Sequence, residues 1–454
     1  MTIGQIPSSS VFSRLARLGA APRLAGLDLA RGLAIIGMIA AHTYPTADVF
    51  SLFDVQSYNA IVHGHPSLLF ALLAGVSISL MTKAAWKTKS AEAVTTARIN
   101  LMIRGIIIFG FGLLLESLGT SIMVILTLYG ALYMVMLPFV TATSRALLWW
   151  SAGIMVVGPP LIAVTQTLMP SNGFGYALVF QSIYSPAAWT SLMLLGMYVG
   201  RLDLGSFQVL AKLAGAGVGL MVLSSGLALV LGIMLPGLMS FADSSSSPIT
   251  AEQKKELYSA EDVPPETVPS EDFDFTKYEC ERFDKAYIGC TLTGSKEDLD
   301  KKKGESEEEI INQWSEVGER LVEPDLVPTI LAVWIASEPH AGGTLEIMGS
   351  GGLALVVVSV CLMVAARLRW LALPIVALGT MPLTVYSLHV LSVFIMVGPG
   401  GVVRVPWFFW TTAGVFLLFS VCWFAFFAHG PLERVVRYAV QKVTGSYAGV
   451  RASE

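Results

Sequence analysis

The chain has 454 residues, 54% of them hydrophobic and only 14% charged, with a net charge of −4. A soluble globular domain carries nearer a quarter of its residues as charges, so this composition excludes one and predicts an all-α polytopic membrane protein. The charge is also unevenly spread: residues 251–323 hold 21 acidic and 10 basic side chains, and the rest hold 12 and 19, so a basic membrane body carries one acidic insert.

Residues 1–24 are polar and mixed and show no cleavable signal pattern. They read as a cytoplasmic N-terminal segment. A span needs about 20 mostly apolar residues, and ten stretches qualify: 25–43, 66–83, 101–118, 121–142, 146–169, 187–203, 208–237, 343–366, 371–397 and 406–428.

The first span carries three ionisable residues, Asp28, Arg31 and His42. Such groups are costly inside a bilayer, so each is a functional candidate. Asp28 and Arg31 are three apart and share one helix face, where they can pair. His42 lies eleven residues beyond Arg31, close to three turns, about 16 Å along the axis at 1.5 Å per residue. One end of the helix is thus equipped to grip a ligand and the other to act on one.

The second span opens with His63-Gly-His65-Pro66. Proline suits the first turn of a helix, and Gly75, Ser77 and Ser79 allow close helix approach. No carboxylate stands at ligand spacing from the histidines, and no metal site is expected. Arg104 enters the third span just after Arg98. Arginine suits bidentate phosphate binding, so Arg31, Arg104 and Arg98 are candidate contacts for a polyanionic ligand.

The short-loop cations alternate. Arg14, Arg17 and Arg23, then Lys83, Lys87, Lys89 and Arg98, then Arg145, Arg201, Lys212, Arg367 and Arg369, and finally Arg434, Arg437 and Lys442 fall on one side. The loops 44–65, 118–121 and 170–186 hold no Lys or Arg, and 398–405 holds only Arg404. The positive-inside rule then places both termini in the cytoplasm. The expected organisation is a cytoplasmic segment 1–24, spans 1–7 within 25–240, an extracytoplasmic acidic insert 241–342, spans 8–10 within 343–428, and a cytoplasmic tail 429–454. An oxidising compartment would permit Cys280 to bridge Cys290 in the insert. Farther on, Glu346 opens the eighth span, and Tyr386 and His389 share a face of the ninth, where Pro382 disturbs the helix.

These residues resemble the transmembrane acyltransferase superfamily. Leu27-Asp28-Leu29-Ala30-Arg31-Gly32, closing at His42, is similar to its first-span signature, and residues 64–78 to its second-span motif. The stretch from Tyr184 to Leu204, with Pro186, Trp189, Gly196, Gly200 and Arg201, resembles the heparan-glucosaminide N-acetyltransferase-like and DUF418- or DUF1624-like branch. The closing Gly430-Pro-Leu-Glu433 does so too. The resemblance covers the spans and leaves out 245–325. Around 44–65 the chain departs from the lysosomal enzymes, which keep an essential histidine in that loop.

What the resemblance implies is an integral plasma-membrane O-acyltransferase. It would move an acyl group, acetyl for preference, from cytoplasmic acetyl-CoA or another acyl-CoA to an extracytoplasmic sugar or glycolipid hydroxyl. The acceptor would be an envelope glycolipid or polysaccharide, with trehalose mycolate lipids one acceptor class of the branch. Arg31 would hold the donor with Arg104 and Arg98. His42 would be the base, served by Asp28 and Arg31. His63, His65, Glu346, Tyr386 and His389 would face the acceptor. The expected partners are the donor, the acceptor and the bilayer, with no metal and no nucleic acid. A lipid or acyl-donor flippase without chemistry is the alternative.

Overall fold

The computed structural model describes residues 24–47, 54–168, 185–235, 278–282, 288–292, 326–338, 340–427 and 429–452. Residues 1–23, residues 169–184 and most of the acidic insert lie outside the described residues. So do Arg14, Arg17, Arg23 and Tyr184.

The protein is an all-α polytopic membrane protein. Seven described helices are long and apolar enough to cross a membrane, or eight if one bent pair is counted as a single span. The first half contains α1 (Ala25–Thr43), a 3₁₀ turn (Val55–Val62), α2 (His65–Met81), α3 (Lys83–Thr88) and α4 (Ala91–Glu116). It continues with α5 (Ile125–Val135), a second 3₁₀ turn (Leu137–Thr141), α6 (Ser144–Leu168), α7 (Pro186–Val199) and α8 (Phe207–Met234). Within the insert, β1 (Tyr278–Arg282) and β2 (Ile288–Leu292) pair antiparallel with Cys280 opposite Cys290. The second half has α9 (Leu326–Ile335), α10 (Thr344–Val364), α11 (Leu373–Gly379), α12 (Pro382–Val397), α13 (Pro406–Phe426) and α14 (Pro431–Ala452).

Each of the ten apolar stretches contains helix, but they are not alike. Two are short, α5 with 11 residues and α7 with 14. The 121–142 stretch is divided because Pro138 opens a 3₁₀ turn directly after α5. The 371–397 stretch is broken into α11 and α12 at an 89° bend. Pro382 sits in the first turn of α12, where its missing N–H costs nothing and its fixed φ suits a helix start rather than a continuation of α11.

α1 is the centre of the bundle. It packs against α2, α10, α11, α12 and α13, and Leu27, Ala30, Ala34, Ile35 and Ile39 are each no more than 2% exposed. α8 is peripheral, with only 11% of its apolar window buried. Its many exposed leucines and valines suit contact with lipid chains. α1 crosses α11 closely. A Cβ at Gly379 would overlap the carbonyl oxygen of Asp28, and one at Gly32 would overlap that of Ile375. Backbones this close fix the bend of the broken span against the charged end of α1.

Candidate active site

At the Asp28 end of α1, Arg31 Nη1 donates to Asp28 Oδ1 at 2.5 Å. Its Nη2 donates to Ser77 Oγ on α2 at 2.8 Å. Asp28 is buried at 3% exposed, so the pair satisfies a carboxylate that could not stand alone in an apolar interior. Two of the five Arg31 N–H groups are thereby used within the protein.

These residues line a cavity of about 260 Å³. Its walls come from α1, α2, α4, α5, the α11–α12 bend and α14, and include Arg104, Tyr129, Tyr133, Thr380, Tyr386 and Glu433. Arg104 Nε donates to Asn100 Oδ1 at 2.8 Å. A second chamber of about 450 Å³ adjoins the first, sharing Arg104, Thr380 and Glu433 with it. Its further lining includes Asn100, His429, Arg437 and Thr444.

Tyr386 lines the inner cavity from α12. Its hydroxyl accepts from the Ile125 N–H at 3.1 Å. This bond also satisfies the free amino end of α5, whose first N–H groups have no helical partner. One turn farther along α12 comes His389. Its Nε2 lies 3.1 Å from His42 Nδ1, and the two rings are stacked at 9°. His389 is 1% exposed, and its Nδ1 has no protein partner. In a neutral pair one ring donates and the other accepts, so the two tautomers are coupled.

Other histidines gather at that same end. His65 Nδ1 lies 2.8 Å from Ser350 Oγ of α10. His63 Nε2 is buried without a hydrogen-bond partner. His340 and Arg404 lie within electrostatic reach of His42, and His63 within reach of His340. Five of the six histidines of the chain converge there, with His429 alone at the other end.

The remaining sequence candidates fall as follows. Tyr386 belongs with Arg31 in the cavity, and its three-residue neighbour His389 belongs with His42. Arg98 is exposed and lines neither chamber. Both Glu346 oxygens accept backbone N–H bonds, from His340 at 2.7 Å and Gly342 at 2.6 Å. Glu346 therefore clamps the turn before α10, where His340 itself has φ +70°. Among the described residues no group of three His, Cys, Asp or Glu side chains could hold a metal.

Sequence reasoning did not single out Glu433, Ser77, Tyr129, Tyr133, Arg437 or His429 as site residues. The tyrosines carried a signal, being four apart on one apolar helix face. Glu433 carried one as well, as the only carboxylate in Gly430-Pro-Leu-Glu433.

Residues 23–224 match the model described as heparan-alpha-glucosaminide N-acetyltransferase, catalytic. Residues 328–442 match that of the protein of unknown function DUF418. Neither a curated protein nor a solved structure matches the chain significantly. The two matched segments flank the insert, take in all or most of every candidate span, and support the resemblance to the heparan-glucosaminide N-acetyltransferase-like and DUF418-like branch of transmembrane acyltransferase-like proteins.

Proposed function

We propose that this membrane protein transfers an acetyl group from acetyl-CoA to a sugar or glycolipid hydroxyl outside the cytoplasm. The Asp28 end of α1 faces the cytoplasm in this reading, and the histidine-rich end faces the acceptor. The positive-inside distribution of Lys and Arg supports that orientation, with both termini inside. The observation that carries the proposal is the course of α12. It lines the arginine-bearing cavity through Tyr386 and, one turn later, presents His389 to His42.

The donor thioester enters from the Arg104 side and extends toward Tyr386. The acceptor hydroxyl approaches from the histidine side. His42, coupled to His389, takes the hydroxyl proton as the oxygen attacks the thioester carbonyl. The C–S bond breaks, the ester forms, and the leaving thiolate takes up the proton that His42 gives back, which yields free CoA and a neutral imidazole. An imidazole is a suitable base for a hydroxyl, and an already activated thioester chiefly needs positioning. Arg31, paired with Asp28 and Ser77, holds α1 and α2 in register at the donor end.

The experiment is transfer from radiolabelled acetyl-CoA. The purified protein in lipid nanodiscs is given an envelope lipid and polysaccharide extract, and ester-linked, alkali-labile label is measured. Acetylated acceptor above the level of a His42→Ala variant supports the reading. Absence of transfer to any extract, with folded protein, removes it. The 89° bend favours a second reading, a lipid or acyl-donor transporter, because broken helices line transport sites. Vesicle-reconstituted protein that moves label across the bilayer without forming an ester would select that reading.

A further inference from the structure

We infer that the second chamber is a phosphate-binding subsite for the nucleotide end of the acyl donor, with half of its cationic wall supplied by the terminal helix α14. This rests on the acyl-CoA reading above. The argument starts from Arg31, the cation that the first-span motif offers for this task. Its guanidinium already serves Asp28 at 2.5 Å and Ser77 at 2.8 Å, and Asp28 neutralises its charge. A polyanion therefore needs further cations beside it.

Two arginines meet that need. Arg104 gives only its Nε, to Asn100, and both terminal nitrogens remain for a ligand. Arg437, one turn beyond Glu433 on α14, donates from Nη1 to His429 Nε2 at 2.5 Å. A guanidinium is always a donor, so His429 accepts there as a neutral ring. That contact holds the Arg437 side chain at the chamber and leaves its other nitrogens open. Asn100 and Thr444 add polar groups to the same wall. Planar arginine forks match phosphate oxygens in pairs.

The one carboxylate in the chamber is turned away from this task. Glu433 accepts from the Thr384 N–H at 3.1 Å and the Thr384 hydroxyl at 2.6 Å. Burial pushes its carboxyl above the usual range, which lessens its repulsion of an anion. The chamber holds about 450 Å³, a volume in the range of ordinary ligand pockets. It adjoins the inner cavity at the shared residues Arg104, Thr380 and Glu433. A donor with a phosphorylated end and a long neutral thioester arm fits that order: phosphates outside, arm within.

The test uses the full-length protein in nanodiscs and two donors, acetyl-CoA and S-acetylpantetheine, which lacks every phosphate. CoA binding is also measured directly by calorimetry, independently of turnover. Arg437→Ala should weaken CoA binding and raise the KM for acetyl-CoA by about tenfold, the equivalent of one lost charge-assisted contact. It should leave the KM for S-acetylpantetheine unchanged. Arg437→Lys should recover part of the loss. Arg434→Ala removes the same charge one turn from the chamber, where Arg434 stacks on Phe427 at 4.2 Å, and should leave CoA binding as it was. Wild-type CoA affinity in Arg437→Ala overturns the inference. So does an equal loss with S-acetylpantetheine, which marks a structural role, or an equal loss in Arg434→Ala, which marks a diffuse field. If the inference fails while wild-type protein still acetylates acceptor from S-acetylpantetheine, the acetyltransferase reading stands. CoA binding that depends on Arg437 with no transfer from either donor retains the subsite and removes the acetyltransferase reading.

Discussion

The Glu433 carboxylate on α14 caps the amino end of α12, accepting from the N–H and the hydroxyl of Thr384. Met381, in the cap position of α12, contributes no side-chain bond. The broken span thus has its positive end closed from another element, where a carboxylate is favoured. The Thr384 hydroxyl in turn accepts from the Leu432 N–H at 3.1 Å, so each helix caps the other.

Glu433→Ala should therefore lower stability by about 1–2 kcal/mol, the usual cost of losing a cap. Glu433→Gln keeps an acceptor and should lose less. The pH dependence has a fixed sign. Burial holds the Glu433 carboxyl above its unfolded value, so the folded state binds this proton more tightly. Its contribution is fully present below the unfolded carboxylate range and declines as pH rises through the raised folded value. The advantage of wild type over Glu433→Gln should shrink across that window. Thermal unfolding of both proteins in detergent at several pH values measures it, and an advantage that grows with pH would mean that the hydrogen bonds favouring the charged cap outweigh its burial.

Arg31 and Asp28 make a second prediction, about stability rather than turnover. Asp28 is 3% exposed, so Arg31→Ala strands a buried carboxylate. Removing one partner of such a pair costs about 3–5 kcal/mol. Removing both should cost less, and the Asp28→Ala, Arg31→Ala double variant should unfold at a higher temperature than Arg31→Ala alone. A double variant less stable than either single one would mean that the pair is not the main reason for Arg31 at this position.

The crossing of α1 and α11 gives a third. Gly379→Ala places a methyl group onto the Asp28 carbonyl, and backbone cannot yield as a side-chain end can. The variant should lose folded yield, or lose more than about 1–3 kcal/mol, the range for overpacking. Gly414, whose Cβ would meet no neighbouring atom, is the control. Gly414→Ala should be neutral or mildly stabilising, since it also removes helical entropy cost. Monodispersity after solubilisation, compared between the two variants, tests the distinction.

The bundle was largely legible in the sequence because hydropathy over 20 residues is a local property, and each of the ten apolar stretches contains helix. The break at Pro382 was legible too, since proline acts on its own chain. The size of the bend was not, because Gly32 and Gly379 set it by meeting across 347 residues of chain. α14 escaped notice as an element because its polar and apolar residues average out, and only their helical spacing marks it. The same line divides the site. Asp28 and Arg31 are three apart on one helix, and their pairing follows from period alone. That Ser77 takes the other half of the Arg31 fork, that Tyr386 faces the cavity while His389 meets His42, and that Glu433 closes α12 are all tertiary facts. No periodicity contains them.

The last prediction concerns His42 and its partner. In the proposed mechanism His42 accepts the hydroxyl proton and His389 sets its tautomer across the 3.1 Å contact. His42→Ala should leave CoA binding nearly intact and cut turnover by about 10²–10⁴-fold, the usual contribution of a general base. His42→Gln should be nearly as inactive, because an amide can hydrogen-bond to His389 but cannot take a proton at working pH. His389→Gln should be milder in kcat than either, since it removes the partner and leaves the base. A purely structural histidine pair predicts the reverse pattern: Gln tolerated at position 42, Ala unfolding the protein, and the two positions equally sensitive. Measuring kcat, CoA affinity and unfolding temperature for the three variants separates the patterns. Full turnover in folded His42→Gln would take His42 out of the mechanism and pass the role to the histidines nearest it, with His63, buried and lacking a hydrogen-bond partner at Nε2, the next to substitute.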